Sequence, residues 1–267
     1  MRRIGVLDSG VGGLTVARAL KQVLPNEGFI YAGDTARAPY GGHSPETLLA
    51  YSREIVQFFV RKNVKAVVLA CGTSASTAFE ALCAEFPTLP FIDVLRPSVS
   101  EIIRRAAQKP NLRIGFIATA ATVKRGLFVQ WVRDACPQIS IEARACPLFA
   151  PMAERGLFIG NITRWAAENY LADWRTKIDA LVLGCTHYPL LSDVIADVLP
   201  NTVQIDLGES TANAVFSTLE ANNLLNKTSE KPACTYYISG APAAFNPLAS
   251  KIMNEEINAK KTSWNTK

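Results

Sequence analysis

The chain has 267 residues, 49% of them hydrophobic and 19% charged, with a formal net charge of +5. That length and composition suffice for a buried core in one large domain or two small ones, and without a run of about 18 consecutive apolar residues no helical membrane span is expected. The positive charge is diffuse, and its densest cluster, Lys260 with Lys261, lies in a polar stretch without interleaved aromatics, so no nucleic-acid partner is expected.

The first residues run from two arginines straight into a strand-like segment, which is not the pattern of a signal peptide. Two strand-to-turn signals then occur twice, in the same order. IGVLDSG at 4–10 is answered by IGFIATA at 114–120, an offset of 110 residues, and AVVLACGT at 66–73 by ALVLGCTH at 180–187, an offset of 114. Between these strands the spacing predicts helices over 14–24, 45–61, 74–86, 99–107, 123–135 and 161–177. Continuous apolar strands alternating with helices predict an α/β fold: two similar lobes with mainly parallel sheets flanked by helices, related by a pseudo-twofold axis, with the active site in the cleft between them. Residues 95–98, which include Pro97, read as one crossing between lobes, and a second crossing follows 203–206. The domains are therefore expected to be 1–96 plus 208–267, and 97–207. The tail from Asn254 has few apolar residues and reads as frayed or disordered.

In open parallel sheets ligands bind beyond the carboxyl ends of the strands, where Asp8, Cys71, Thr119 and Cys185 all fall. Facing lobes would bring the two cysteines to one cleft from opposite sides. A thiol at a helix N-terminus is expected to have a lowered pKa, and an opposed thiolate and thiol suit inversion at a carbon, one removing a proton and the other delivering one. Cys83, Cys136, Cys146 and Cys234 read as small hydrophobes. No signal peptide and no CxxC pair accompany the six scattered cysteines, which points to free thiols in the cytoplasm and argues against a zinc site.

The turn at 8–15 is glycine-rich but lacks the spacing of a dinucleotide site and the lysine of a P-loop. Turn conformation explains its glycines and leaves Asp8 and Ser9 for function. The segment 33–42 reads as a loop whose hydroxyl and amides suit a carboxylate. His187, two residues from Cys185, is a candidate proton-transfer partner, while His43 reads as solvated and Glu154, by composition, as an ordinary surface acid.

Together DSGVGGLTV (8–16), GDTARAPYG (33–41), ACGTSAS (70–76), APMAERG (150–156) and LGCTHYPLL (183–191) resemble the glutamate racemase family, over about residues 2–220. The resemblance implies two α/β domains, no pyridoxal phosphate or metal, and L-glutamate converted to D-glutamate for peptidoglycan. It implies Cys71 and Cys185 as the paired acid and base, Asp8 assisting at Cys71, and Glu154 and His187 assisting at Cys185. Asp8, Ser9, Tyr40, Gly41, Gly72, Thr73, Thr186 and His187 would surround the amino-acid substrate, with Thr119 and Thr122 near the cleft. It also allows a homodimer.

One position departs from the family pattern: its usual Cys-Asn-Thr reads Cys71-Gly72-Thr73 here, removing an amide worth roughly 1.5–3 kcal/mol to a charged ligand. That keeps an aspartate or broader amino-acid racemase as an alternative. Two further alternatives are a cysteine-nucleophile amidase, which predicts a trappable acyl-enzyme, and a non-catalytic amino-acid-binding regulatory protein.

Overall fold

The computed structural model describes residues 2–227 and 232–264. Its ten strands are β1 (Ile4–Asp8), β2 (Phe29–Gly33), β3 (Ala66–Leu69), β4 (Phe91–Asp93), β5 (Arg113–Ala118), β6 (Ser140–Ala145), β7 (Ala180–Leu183), β8 (Val203–Ile205), β9 (Thr235–Ile238) and β10 (Lys260–Lys261). One sheet has the order β10-β9-β2-β1-β3-β4, the other β6-β5-β7-β8, and every pairing is parallel. The central strands are buried along their whole length, which is why they read as unbroken apolar runs rather than alternating ones.

The duplication is visible in the pairing register. Ile4 stands opposite Ala66 in the first sheet, and Ile114 opposite Ala180 in the second. The order β2-β1-β3-β4 therefore repeats as β6-β5-β7-β8, and both copies present their strand ends to one cleft. A boundary between 96 and 97 and another between 207 and 208 is the proposed division, with every strand on the side of its own sheet.

Helix 45–61 forms as expected: Ser44 caps it by accepting the Thr47 N–H, Pro45 enters the first turn, and Leu48, Ile55, Val56 and Phe59 bury one face. Three expectations need correction. The helix expected over 99–107 starts earlier, at Arg96, because Pro97 falls in its first turn, where a missing N–H costs nothing, and this helix carries the chain from β4 of the first sheet to β5 of the second. The helix expected over 123–135 is two, Ala120–Arg125 and Leu127–Ala135, divided by Gly126 at φ +69°. Likewise the helix from Asn161 stops at Leu171, and a short 3-10 turn then buries Trp174 beneath β5.

The tail is ordered through Trp264. Ile257 and Trp264 are buried, β10 pairs with β9, and Trp264 Nε1 donates to Asp34 Oδ1 at 2.9 Å. A low apolar count hid this, because strand addition is made by the backbone whatever the side chains are. Residues 265–267 of that stretch lie outside the described residues.

Beneath the first sheet, Lys65 and Glu27 form a buried ion pair at 2.6 Å, with Lys65 Nζ also donating to the Leu224 carbonyl and Glu27 accepting from Asn226. Lys65→Met is expected to destabilise the chain by about 3–5 kcal/mol by stranding the carboxylate, and adding Glu27→Leu to recover part of that loss. Chemical denaturation of both proteins checks this; equal stability of parent and single variant would refute it.

Candidate active site

The strand ends enclose a cavity of about 280 Å³. Cys71, Gly72 and Thr73 enter from the first lobe, facing Gly184, Cys185, Thr186 and His187 from the second; Ser9, Tyr40, Gly41, Thr119 and Glu154 complete much of the wall. Asp8 and Thr122 are the two sequence candidates that do not line it.

The two cysteines occupy unlike positions. Cys71 N-caps the helix Gly72–Glu85, as the strand-end position predicts. Cys185 is followed by a turn and the 3-10 segment Tyr188–Leu191, so no α-helix begins at it. The expected lowering of the Cys71 pKa does not occur. Burial raises it, the nearby Asp8 carboxylate raises it further, and the Ser74 amide and Ser9 hydroxyl offset only part of this. Desolvation outweighs the helix dipole at this depth. Cys71 therefore stands as a thiol, 3.7 Å from Ser9 Oγ.

Around Cys185 a relay runs along the wall of the pocket. Cys185 Sγ lies 3.5 Å from His187 Nδ1, and His187 Nε2 lies 2.6 Å from Glu154 Oε1, which also accepts the Val11 N–H at 2.9 Å. Burial alone pulls the His187 pKa down, but hydrogen bonds and charges from Cys185 and Glu154 overcome it and hold it well above 6.5. For Glu154 burial acts upward and the His187 partner wins, leaving it below 4.5. An imidazolium thus sits between a carboxylate and a sulfur.

The glycines of the 8–15 turn serve a different end from the one expected. Gly10, Gly12 and Gly13 all have ordinary negative φ. They are required by proximity: a Cβ on Gly10 would fall 1.9 Å from Glu154 Oε1, and one on Gly12 2.6 Å from His187 Nδ1. The turn is the seat on which the other lobe's relay rests. Asp8 lies wholly buried behind it, accepting from the Gly10 N–H at 2.8 Å and the Thr186 hydroxyl at 3.2 Å. Burial raises its pKa against the pull of His187 and the turn amides.

Thr73, Thr119 and Thr122 form a hydroxyl chain across the cleft, each step 3.0 Å. Tyr40 is held by a short hydrogen bond to Asp34, which also accepts from Arg37, Ser239 and Trp264. Burial and the Asp34 charge push the Tyr40 pKa far up, so its phenol stays a donor. Asp34 escaped the sequence reading, although it follows β2 much as Asp8 ends β1. His43 is not freely solvated, since its Nε2 lies 3.1 Å from the Arg37 carbonyl and its ring stands edge-on to Tyr51. Arg155 was also missed; it lines the cavity, and its guanidinium has no hydrogen bond or ion pair among the described residues. No group of three His, Cys, Asp or Glu side chains among the described residues could hold a metal ion.

Residues 4–215 match the family described as Asp/Glu/Hydantoin racemase. Glutamate racemase from Geobacter metallireducens is 39% identical over 258 residues, 96% of this chain and 94% of that one. The chain belongs to the glutamate racemase family. Like the racemases it matches, it is an isomerase. Glutamate racemase from Francisella tularensis, solved in complex with D-glutamate, superposes with a TM-score of 0.90 at 33% identity, covering 99% of this chain and 98% of that one. The Thermus thermophilus glutamate racemase solved with beta-chloro-D-alanine gives 0.85 at 38% identity, over 98% and 97%. The two-lobed fold of this glutamate racemase family member is thus shared along its whole length.

Proposed function

We propose that the chain interconverts L- and D-glutamate by a two-cysteine acid and base mechanism that uses no cofactor. The observation that carries this reading is the pair of sulfurs, Cys71 and Cys185, presented from opposite lobes to one small cavity. Cys185, beside the His187 imidazolium, is the resting base, and Cys71, held as a thiol, is the resting acid. The base removes the α-proton from one face, and the acid delivers its own to the other. The cysteines then exchange roles for the reverse direction. Negative charge that develops on the substrate in the transition state is met by donors on the cavity wall, among them the hydroxyls of Thr73 and Thr119. The D-glutamate would enter peptidoglycan, as the resemblance implies. A cytoplasmic location is supported by six free cysteines.

Glutamate is favoured over a neutral amino acid by Arg155, the sole lysine or arginine among the described residues that line the cavity. Arg155→Gln is expected to raise KM for glutamate several-fold with little change in kcat, and to flatten its dependence on ionic strength. Steady-state kinetics at two salt concentrations would show it, and an unchanged KM would remove Arg155 from substrate recognition.

The reading as a whole is tested by proton NMR of L-glutamate and L-aspartate with metal-free, cofactor-free protein in D2O. Deuterium at the α-carbon with D-glutamate formation is the expected result. Exchange of aspartate alone would assign a different substrate, and exchange of neither by folded protein would refute the racemase mechanism.

A further inference from the structure

The loop 34–41 supplies Thr35, Ala38, Pro39, Tyr40 and Gly41 to the cavity wall, so whatever fixes this loop fixes part of the substrate site. At its start stands the fully buried Asp34, whose two carboxylate oxygens face different parts of the chain. Oδ2 turns to the loop itself, accepting from Arg37 Nε at 2.7 Å and from the Tyr40 hydroxyl. Oδ1 turns to the C-terminal segment, accepting from Ser239 Oγ at 2.8 Å and from Trp264 Nε1 at 2.9 Å. The Trp264 indole is itself firmly seated: β10 brings it in beside β9, the Phe58 ring meets it edge-on at 5.4 Å, and Arg61 donates to its carbonyl. At the other end, Tyr40 packs with Leu48 and Cys71, and Tyr51 lies against them. A continuous path of contacts therefore runs from the tail, through one carboxylate, to the aromatic ring beside a reactive sulfur.

We propose that Trp264 is a positioning residue for the substrate site, acting through Asp34 on Tyr40 and the loop 34–41 without touching substrate itself. A carboxylate is planar, so donors on one oxygen fix the direction in which the other accepts. Arg37 and Tyr40 belong to the loop and travel with it. The carboxylate's direct side-chain ties to segments outside the loop, among the described residues, are Ser239 and Trp264. Phenylalanine in place of Trp264 keeps a ring in the same packing and deletes the N–H. Oδ1 is then left with Ser239, whose Oγ also accepts the Ala36 N–H at 3.0 Å. Hydrogen bonds to a charged acceptor are among the stronger ones in a protein, and at a fully buried carboxylate no bulk water stands ready to replace the lost donor. The carboxylate then turns toward its remaining partners, and Tyr40 follows it. Cys71 stays where its own strand end holds it, with its N–H on the Leu7 carbonyl. The loss should therefore appear in KM more than in kcat, the mark of an interaction made alike in ground and transition states.

This inference rests on the glutamate racemase reading for its kinetics, and its test has one arm that does not. Trp264→Phe, and Ser239→Ala as a second variant lacking a donor to the same oxygen, would be assayed with both glutamate enantiomers, alone and combined with Tyr40→Phe. KM should rise about fivefold with kcat within about twofold of the parent, and kcat/KM should fall by the same factor for both enantiomers. Combined with Tyr40→Phe, either change should have little further effect, because the bond it acts through is already gone. The second arm is alkylation by iodoacetamide without substrate, followed at each cysteine by peptide mass spectrometry. In both variants Cys71 should react several-fold faster than in the parent, as Tyr40 loosens from it, while Cys185 on the opposite lobe keeps its parent rate. Parent-like alkylation of Cys71 in Trp264→Phe would overturn the proposal whatever the kinetics. So would a KM effect that persists in full beside Tyr40→Phe, or equal acceleration at both cysteines, which is what general loosening of the fold would give. Selective exposure of Cys71 together with no glutamate racemisation by the parent would reject the racemase reading and keep the link from the tail.

Discussion

Replacing either Cys71 or Cys185 by alanine is expected to lower glutamate racemisation by at least about 10³-fold, since each supplies the acid in one direction and the base in the other. The two variants should not fail alike. With one sulfur left, a proton can still be taken from and returned to the face that sulfur commands. Each variant should therefore exchange the α-proton of only one enantiomer in D2O, and the two should choose opposite enantiomers. Proton NMR of separate L- and D-glutamate incubations measures this directly. If both variants exchanged the same enantiomer, the sulfurs would not lie on opposite faces. If either racemised at near the parent rate, the mechanism would need a different base.

The second large effect is expected at the relay. His187→Asn removes the imidazolium that stands 3.5 Å from Cys185 Sγ, and kcat/KM should fall by about 10²-fold. The fall must be equal for both enantiomers, because they are equal in free energy in water and the ratio of the two kcat/KM values is fixed at one. What changes besides the size is the pH profile. His187, held protonated to well above 6.5, no longer titrates, so the alkaline limb that its deprotonation gives the parent should disappear. Glu154→Gln should move that limb to lower pH, since it removes the partner that keeps His187 protonated.

The same pair makes a stability statement with a definite sign. His187 has its pKa raised on folding, so its contribution is complete below its ordinary value of 6.5 and is lost as pH rises through the higher folded value. Glu154 has its pKa lowered, so its contribution is complete above 4.5 and is lost as pH falls through the lower folded value. The gap in melting temperature between parent and His187→Asn should thus be widest between about pH 4.5 and 6.5, and narrow on either side. A pH-rate profile of His187→Asn that overlays the parent's, with only the melting temperature changed, would make the pair structural and remove it from the chemistry.

Much of this site was legible in the residues. The two copies of a strand ending in cysteine placed Cys71 and Cys185 at equivalent ends of β3 and β7, and chain order put them in different sheets. Glu154 was not legible by composition; only the resemblance to relatives singled it out, because its role comes from a partner 33 residues away, His187. Asp34 and Arg155 stand out less. Asp34 accepts from Arg37 and Tyr40 nearby and from Ser239 and Trp264 more than 200 residues away, and Arg155 lines the cavity with no partner for its guanidinium among the described residues.

What the amino-acid sequence determined by itself was periodicity and repetition: unbroken apolar strands buried in parallel sheets, helices between them, and two related halves. These follow from local patterns, since burial on both faces and helical spacing leave their mark on neighbouring residues. Tertiary structure alone decided the protonation of Cys71, the docking of the tail through β10 and Trp264, and the close approach that requires the glycines at 10 and 12. Each of these depends on what approaches from the other lobe or from a far part of the chain. Desolvation, strand addition and the space for a Cβ are properties of the assembled fold and leave no trace in the residues beside them.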